Sequence, residues 1–365
     1  MTASTLAAAD SRLRDHGPWI RLHFSSAPGD HADFHYLWLR HNCDLDRHPT
    51  TNERIVCSSD LPFRPRPESI WIEGDPEALH IRWADDASGR VSAYPLAWLR
   101  EHAYNLGEEV APPPSSDTTP LTVDAAAIDP SDLPRKVVEI VDAHGLAVVR
   151  NYGPDTEALI DSLAAGTGLQ IRGTHFGRIE DLRTDNTTNQ NTDQLGFTNY
   201  PVRLHTDQPF LEVPPKYQLL QCMRKADEGG ENYVADAFQA ARYLEATDRQ
   251  AYDLLTTIPI KFHRKQKDFE RIQESPLLDF SHPDGFIVRY SYFTMAPHRQ
   301  PFALMENWYR AYNTFAELVN NPAHQYHVAL EEGDFLMYNN RRMLHARNGF
   351  SGPRWMRGIY FDPIS

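Results

Sequence analysis

At 365 residues, with 41% hydrophobic and 24% charged residues, the chain is long enough to bury a sizeable core and to divide into one large or two unequal domains. No apolar run approaches the ~18–20 residues of a membrane-spanning helix, so no membrane association is expected. A formal charge of −14 speaks against a general binder of nucleic-acid phosphates, which needs basic patches, and leaves a small molecule as the expected partner.

Cys43, Cys57 and Cys222 are too few and too scattered for a disulfide framework. The alanine-rich start carries acids and lacks the apolar core of a signal peptide, so a cytoplasmic location is expected. In chain order, WIRLHF alternates Ile20, Leu22 and Phe24 with polar positions, the two-residue period of a half-buried strand. SIWIEG and ALHIRWADDASGRVSAYPLAWL extend the pattern, the latter as two strands joined by a turn rich in Asp, Ser and Gly. Residues 1–106 therefore read as a small β-rich domain, and the proline-rich, polar stretch 107–122 as a linker to a larger domain over 123–365.

Beyond the linker, SDLPRKVVEIVDAHG predicts a helix capped by Ser131 or Asp132, with Pro134 in its first turn, apolar Val137, Val138 and Val141, and Gly145 as its stop. LAVVRNYG reads as a buried strand and TEALIDSLAAGTG as a helix with Leu159, Ile160 and Leu163 on one face. The polar run from Thr184 to Thr198 is longer than most connections and is expected to be a mobile lid.

Downstream, YQLLQCM, NYVADA, IKFHR, FIVRYSYF, DFLMYNN, MLHARNGF and RGIYFD read as short strands, interrupted by helices near Phe238–Thr247 and Arg299–Val319. The sum is a mainly β fold, a sandwich or jelly roll with decorating helices, and no internal repeat is evident.

The chemistry begins at RLHTDQPF. His205 and Asp207 stand two apart, so on an extended strand end they face the same way and can reach one ion. Alone the pair is a common coincidence among 17 histidines. The facial triad of non-haem Fe(II) oxygenases adds a second histidine from a distant strand. His345 in NNRRMLHARNGF fits that place. Arg354 and Arg357 follow on what reads as the final strand, where a forked cation suits the far carboxylate of a 2-oxoglutarate cosubstrate. His324 and His327 in HQYH read as a solvated pair, and the GGEN segment, Gly229 to Asn232, reads as a turn and not a phosphate loop.

The set LHTDQPF, PPKYQLLQC, GGENYVADAF, GDFLMYNNRRMLHARNGF and RWMRGIYFD resembles the Fe(II)/2-oxoglutarate dioxygenases of the taurine dioxygenase superfamily, and within it the γ-butyrobetaine and trimethyllysine dioxygenase branch. YLWLRHNCDLDRHPTTNERI and YPLAWLREHAY look like the small N-terminal domain of that branch. The resemblance implies a double-stranded β-helix with Fe(II) on His205, Asp207 and His345. It implies 2-oxoglutarate held by Arg354, with Arg357 as the alternative and Asn232 assigned to the same site, O2 as oxidant, and a homodimer. The expected reaction is hydroxylation of an unactivated C–H bond, with succinate and CO2 as coproducts.

Two departures from the family pattern are visible. Relatives hold zinc in the N-terminal domain through three cysteines and a histidine, whereas here Cys43 is followed by Leu45 and Arg90 falls near the histidine's place, so no structural zinc is expected. Cys43 with His48 would be too small a ligand set. The aromatic cage that surrounds a quaternary ammonium in the branch aligns with Phe176, Glu180, Phe197 and Tyr360. An acid there suits a primary or secondary ammonium, with N–H donors, so the expected substrate is a small zwitterionic amine, or a betaine-like compound, other than γ-butyrobetaine. A desaturase or epoxidase of the same superfamily is the nearer alternative, and a halogenase fits poorly because Asp207 is present. A cupin-like binding protein, in which the motif merely closes a strand, is the alternative of another class.

Overall fold

The protein is described by a computed structural model, which covers residues 10–48, 50, 55–108, 121–183, 195–266 and 268–364. The chain divides into two compact units, Met1–Val110 and Ala111–Ser365.

In the first unit, strands Leu13–Asp15, Trp19–His23 and His31–His35 form one antiparallel sheet, and Pro67–Glu73, Ala78–Trp83 and Val91–Pro95 form another. The last strand of each runs straight into a six-residue helix, Tyr36–His41 and Leu96–Glu101. Three strands and a helix thus occur twice, a repeat that the sequence reading missed. Its trace is the shared Trp-Leu-Arg of the two helices, in which Leu39 and Leu99 are both fully buried and Trp38 lies 5.5 Å from Trp98. The diverged strands obscure it, because only inward positions are constrained and any large apolar side chain fills them.

In the first unit, around the departures from the family's zinc pattern, the Cys43 Sγ lies 3.0 Å from the Ser92 hydroxyl. Arg90 reaches back to the Leu45 carbonyl and the Asp46 carboxylate, each at 3.2 Å, and Arg40 pairs with the same Asp46.

The second unit is mainly β. Its larger sheet runs in the order Glu180–Arg183, Trp355–Pro363, Tyr217–Arg224, Phe335–Asn339, Leu146–Arg150, Thr122–Asp124, with Leu169–Ile171 also pairing on the long strand Trp355–Pro363. All pairs are antiparallel except the last, where Thr122–Asp124 lies parallel to Leu146–Arg150. Ordered pairing therefore reaches into the end of the segment read as a linker, and Gly107 at its start bonds to the His31 carbonyl. The smaller sheet is Val202–His205, Met343–Arg347, Asn232–Asp236, Gln325–Val328.

Helices Leu133–His144 and Thr156–Thr167 form where they were read, each ending at a glycine with positive φ, Gly145 (93°) and Gly168 (69°). Asp132 occupies the N-cap position of the first but makes no side-chain capping bond. Val137, Val141, Leu159, Ile160 and Leu163 are buried against the larger sheet, each contributing about 1.5–3 kcal/mol of transfer free energy. The helices Ala237–Thr247, Arg249–Thr257 and Phe302–Asn320 pack on the smaller sheet through Ala235, Leu204 and Leu344. Val234 and Met343, one step along, turn into the core shared with the larger sheet, as strand alternation requires.

Two readings need correction. FIVRYSYF is a strand only at Ile287–Val288. Beyond it the chain leaves the sheet to exchange bonds with the residue between the two candidate ligands: Thr206 N donates to the Tyr290 carbonyl (2.8 Å) and Tyr290 N to the Thr206 hydroxyl (3.1 Å). His324 is not solvated. It is buried, and its Nδ1–H donates to the Leu318 carbonyl at 3.0 Å. Among the described residues no helix is long and apolar enough to cross a membrane.

Candidate active site

His205 ends the strand Val202–His205 and stands directly across from His345 on Met343–Arg347, with ring centroids 4.1 Å apart. The pairing register, and nothing in their separation along the chain, brings the two imidazoles together. A bulge between Val202 and His205 turns the strand end, and Asp207 follows in the turn. His205 Nε2 lies 3.4 Å and His345 Nε2 3.9 Å from Asp207 Oδ1, and the ligand atoms of all three residues fall within 4.8 Å of one another.

Neighbouring groups fix each ligand atom. His205 Nδ1 sits 2.8 Å from the Arg203 carbonyl, which can only accept, so Nδ1 carries a proton and Nε2 is the atom left to meet a metal. Asp207 Oδ2 accepts from Gln218 Nε2 and from the Tyr360 hydroxyl, both at 2.6 Å, which leaves Oδ1 facing the imidazoles. Burial pushes the Asp207 carboxyl up, but the groups around it, the Tyr360 hydroxyl bond among them, outweigh it and hold it below the usual carboxylate range. Burial likewise brings His345 down to about 3, so its ring is neutral at ordinary pH. Its Nδ1 is buried without a hydrogen-bond partner. Two imidazoles and one carboxylate, converging with open space beside them, fit the donor set of a non-haem Fe(II) centre.

The turn itself is clamped by Asn340, fully buried, whose Oδ1 accepts from Asp207 N (2.9 Å) while its Nδ2 donates to the carbonyls of Asp207 (3.0 Å) and Pro215 (3.2 Å). Gln208 beside it adopts φ 57°, uncommon for a non-glycine residue. Sequence reasoning missed Asn340 and Gln218. The polar Asn339-Asn340 turn was the available signal for the first.

The triad opens on a cavity of about 1120 Å³, part of it open to solvent. Arg354, Asn232, Phe176, Glu180 and Tyr360 all line it, as do Arg264 and Arg347, which the sequence did not single out. Phe197 is buried but lies outside the lining, where its neighbour Gly196 stands instead. Arg357 is also outside: its Nε meets Asp181 at 3.1 Å and its Nη1 donates to the Thr156 hydroxyl at 2.7 Å. Arg354 is buried, which pushes its guanidinium down to about 10, and it packs over Phe350 and against Gly230. Positive φ (78°) and this close approach, 3.2 Å from a would-be Cβ to Arg354 Nε, account for glycine there. Tyr360, read as a cage wall, gives its hydroxyl to Asp207. Glu180 is buried on a strand, paired with Gly358. Of the stretch read as a lid, Thr184 to Thr198, residues 184–194 lie outside the described residues and Leu195–Phe197 form a short 3-10 turn.

Residues 109–360 match the model of the taurine catabolism dioxygenase TauD/TfdA family. The chain belongs to this family. Over 351 residues it is 30% identical to the γ-butyrobetaine dioxygenase of Pseudomonas sp. strain AK-1, covering 92% of this chain and 89% of that one. It is 27% identical to dioxygenase str8 of Strobilurus tenacellus (90% and 82% covered) and 26% identical to the mitochondrial trimethyllysine dioxygenase of Rattus norvegicus (90% and 79%). A taurine dioxygenase of Burkholderia xenovorans shares the fold with a TM-score of 0.51 at 13% identity, over 68% of this chain and 88% of that one. The protein is thus a 2-oxoglutarate-dependent dioxygenase using Fe(II).

Proposed function

We propose that this dioxygenase hydroxylates an unactivated C–H bond of a small amine-bearing zwitterion, distinct from a quaternary betaine. The observation that carries the reading is Glu180, a buried carboxylate on the wall of the same cavity as the His205, Asp207 and His345 side chains. A trimethylammonium has no N–H to offer such a group, whereas a primary or secondary ammonium can donate to it. Phe176 supplies one apolar wall.

In this reading His205, Asp207 and His345 hold Fe(II), and Arg354 with Asn232 holds 2-oxoglutarate. Bound together with O2, metal and cosubstrate supply the two-electron oxidation, with succinate and CO2 released. The protein's part is placement. Asn340 holds the Asp207 turn, Arg203 fixes the tautomer of His205, and Gln218 with Tyr360 keeps Asp207 ionised and aimed. Arg354 places a buried forked cation on the wall, suited to a carboxylate. Arg357, engaged by Asp181 and Thr156, is a support of the sheet.

The two sheets of residues 123–365 are read as a double-stranded β-helix, residues 1–106 as the small domain of the γ-butyrobetaine dioxygenase branch, and 107–122 as the linker. A homodimer is expected from the resemblance.

The test is a panel of primary, secondary, tertiary and quaternary amino acids scored by substrate-stimulated succinate formation. Primary or secondary amines should stimulate, and Glu180→Gln should weaken them at least tenfold. A quaternary betaine as the best substrate, or unchanged turnover of the best amine by Glu180→Gln, would overturn the reading.

A further inference from the structure

Three guanidinium groups line the cavity, and two have evident employment. Arg347 donates to the carbonyls of Thr198 (2.8 Å) and Tyr200 (2.6 Å) and lies over the Phe350 ring. Arg354 is assigned above to the cosubstrate. Arg264 is different. Among the described residues no hydrogen-bond acceptor and no carboxylate at ion-pair distance engages its side chain, although burial has removed part of its water. The Glu180 charge acts on it from a distance, without a direct ion pair between the two.

Its backbone is held firmly. Arg264 sits on Pro259–Gln266, paired over its whole length with Phe269–Pro276. His263 N donates to the Thr294 carbonyl and Ala296 N to the Lys261 carbonyl, each at 2.8 Å, which docks this hairpin beside the cavity. Next to Asp207, the buried Gln208 also lines the cavity with its Nε2 lacking an acceptor. Among the described residues the unused capacity on these walls thus includes the Arg264 guanidinium and Gln208 Nε2 as donors, with Gln218 Oε1 as an acceptor. A partly desolvated cation without a partner is costly unless a ligand anion completes it.

We propose that Arg264 is a specificity-determining residue that binds the anionic end of the substrate, while Glu180 takes its ammonium end. The substrate class is then an ω-amino acid, with a carboxylate or another compact oxyanion separated from the amine by a short carbon chain. This rests on the amine reading above and deepens it.

The experiment is a calorimetric titration of the Mn(II) and 2-oxoglutarate-loaded protein under nitrogen. The probes are linear ω-amino acids, their carboxamides, and fatty acids of equal length that lack the amine. Wild type should bind the carboxylate at least tenfold more tightly than the carboxamide, as expected for one lost charge-assisted contact. Arg264→Gln should abolish that preference and Arg264→Lys should retain part of it. Equal binding of carboxylate and carboxamide by wild type, no binding of either, or an intact preference in Arg264→Gln would each overturn the proposal. The amine reading fails separately. Fatty acids that bind as well as amino acids, with Arg264 still required, would refute the role of Glu180 and uphold that of Arg264. Should Arg264→Gln not fold, the wild-type preference and the Arg264→Lys variant decide.

Discussion

Asn340 and Asp207, far apart in the chain, exchange two hydrogen bonds: Asp207 N donates to Asn340 Oδ1 at 2.9 Å and Asn340 Nδ2 to the Asp207 carbonyl at 3.0 Å. This amide clamp sets the direction in which the carboxylate leaves the turn. Outer groups of this kind typically govern metal affinity by 10–100-fold. Asn340→Ala is expected to weaken Fe(II) or Mn(II) binding by about that factor, measured by anaerobic equilibrium titration. Unchanged affinity in a folded variant would remove Asn340 from the account.

Tyr360 and Gln218 share one oxygen of Asp207, each at 2.6 Å. Tyr360→Phe keeps the ring against the cavity and removes the donor. Metal affinity should fall by about tenfold, and apparent affinity for an amine substrate should change less than metal affinity. The reverse pattern would restore Tyr360 to the role of a cage wall.

Arg357 of the last strand and Arg354, just before that strand begins, separate cleanly. Arg354→Ala should raise the KM for 2-oxoglutarate by roughly 100-fold, the order of a lost buried charge pair. Arg357→Ala should lower the melting temperature through loss of the Asp181 and Thr156 contacts and leave that KM within about twofold. An equal effect of both substitutions on KM would count against the assignment.

Burial, together with the Arg264 charge, brings His175 down to about 4, and its ring stacks on Phe269 at 3.9 Å. The unfolded chain therefore takes up a proton near pH 6.5 that the folded chain refuses until about pH 4. Stability is full above pH 6.5 and falls as the pH drops towards 4. The melting temperature of the apoprotein should decline over that window, and His175→Gln should make the decline shallower. Identical pH profiles for the two proteins would refute this contribution.

Much of the site was legible because its chemistry sits on short local patterns. His205 ends a strand with Asp207 two residues on in the turn, and Arg357 lies on the last strand with Arg354 just before its start. Asn340, Gln218 and Arg264 were not legible. Each acts through pairing or packing between remote segments, and no local period marks a residue whose partner lies across a sheet or hairpin. FIVRYSYF misled for a related reason: its alternation is real, but Tyr290 pairs with Thr206 in place of a neighbouring strand. His324 misled because a backbone carbonyl, invisible to spacing, satisfies its ring in the interior.

The central claim is that His205, Asp207 and His345 together hold the metal. Its most direct test is equilibrium binding of Mn(II) and Fe(II) under nitrogen to wild type and to His345→Ala, with bound metal counted per chain. The account predicts one ion per wild-type chain and at least a hundredfold weaker binding once His345 is removed. A single ion held with undiminished affinity by the folded His345→Ala protein would contradict it.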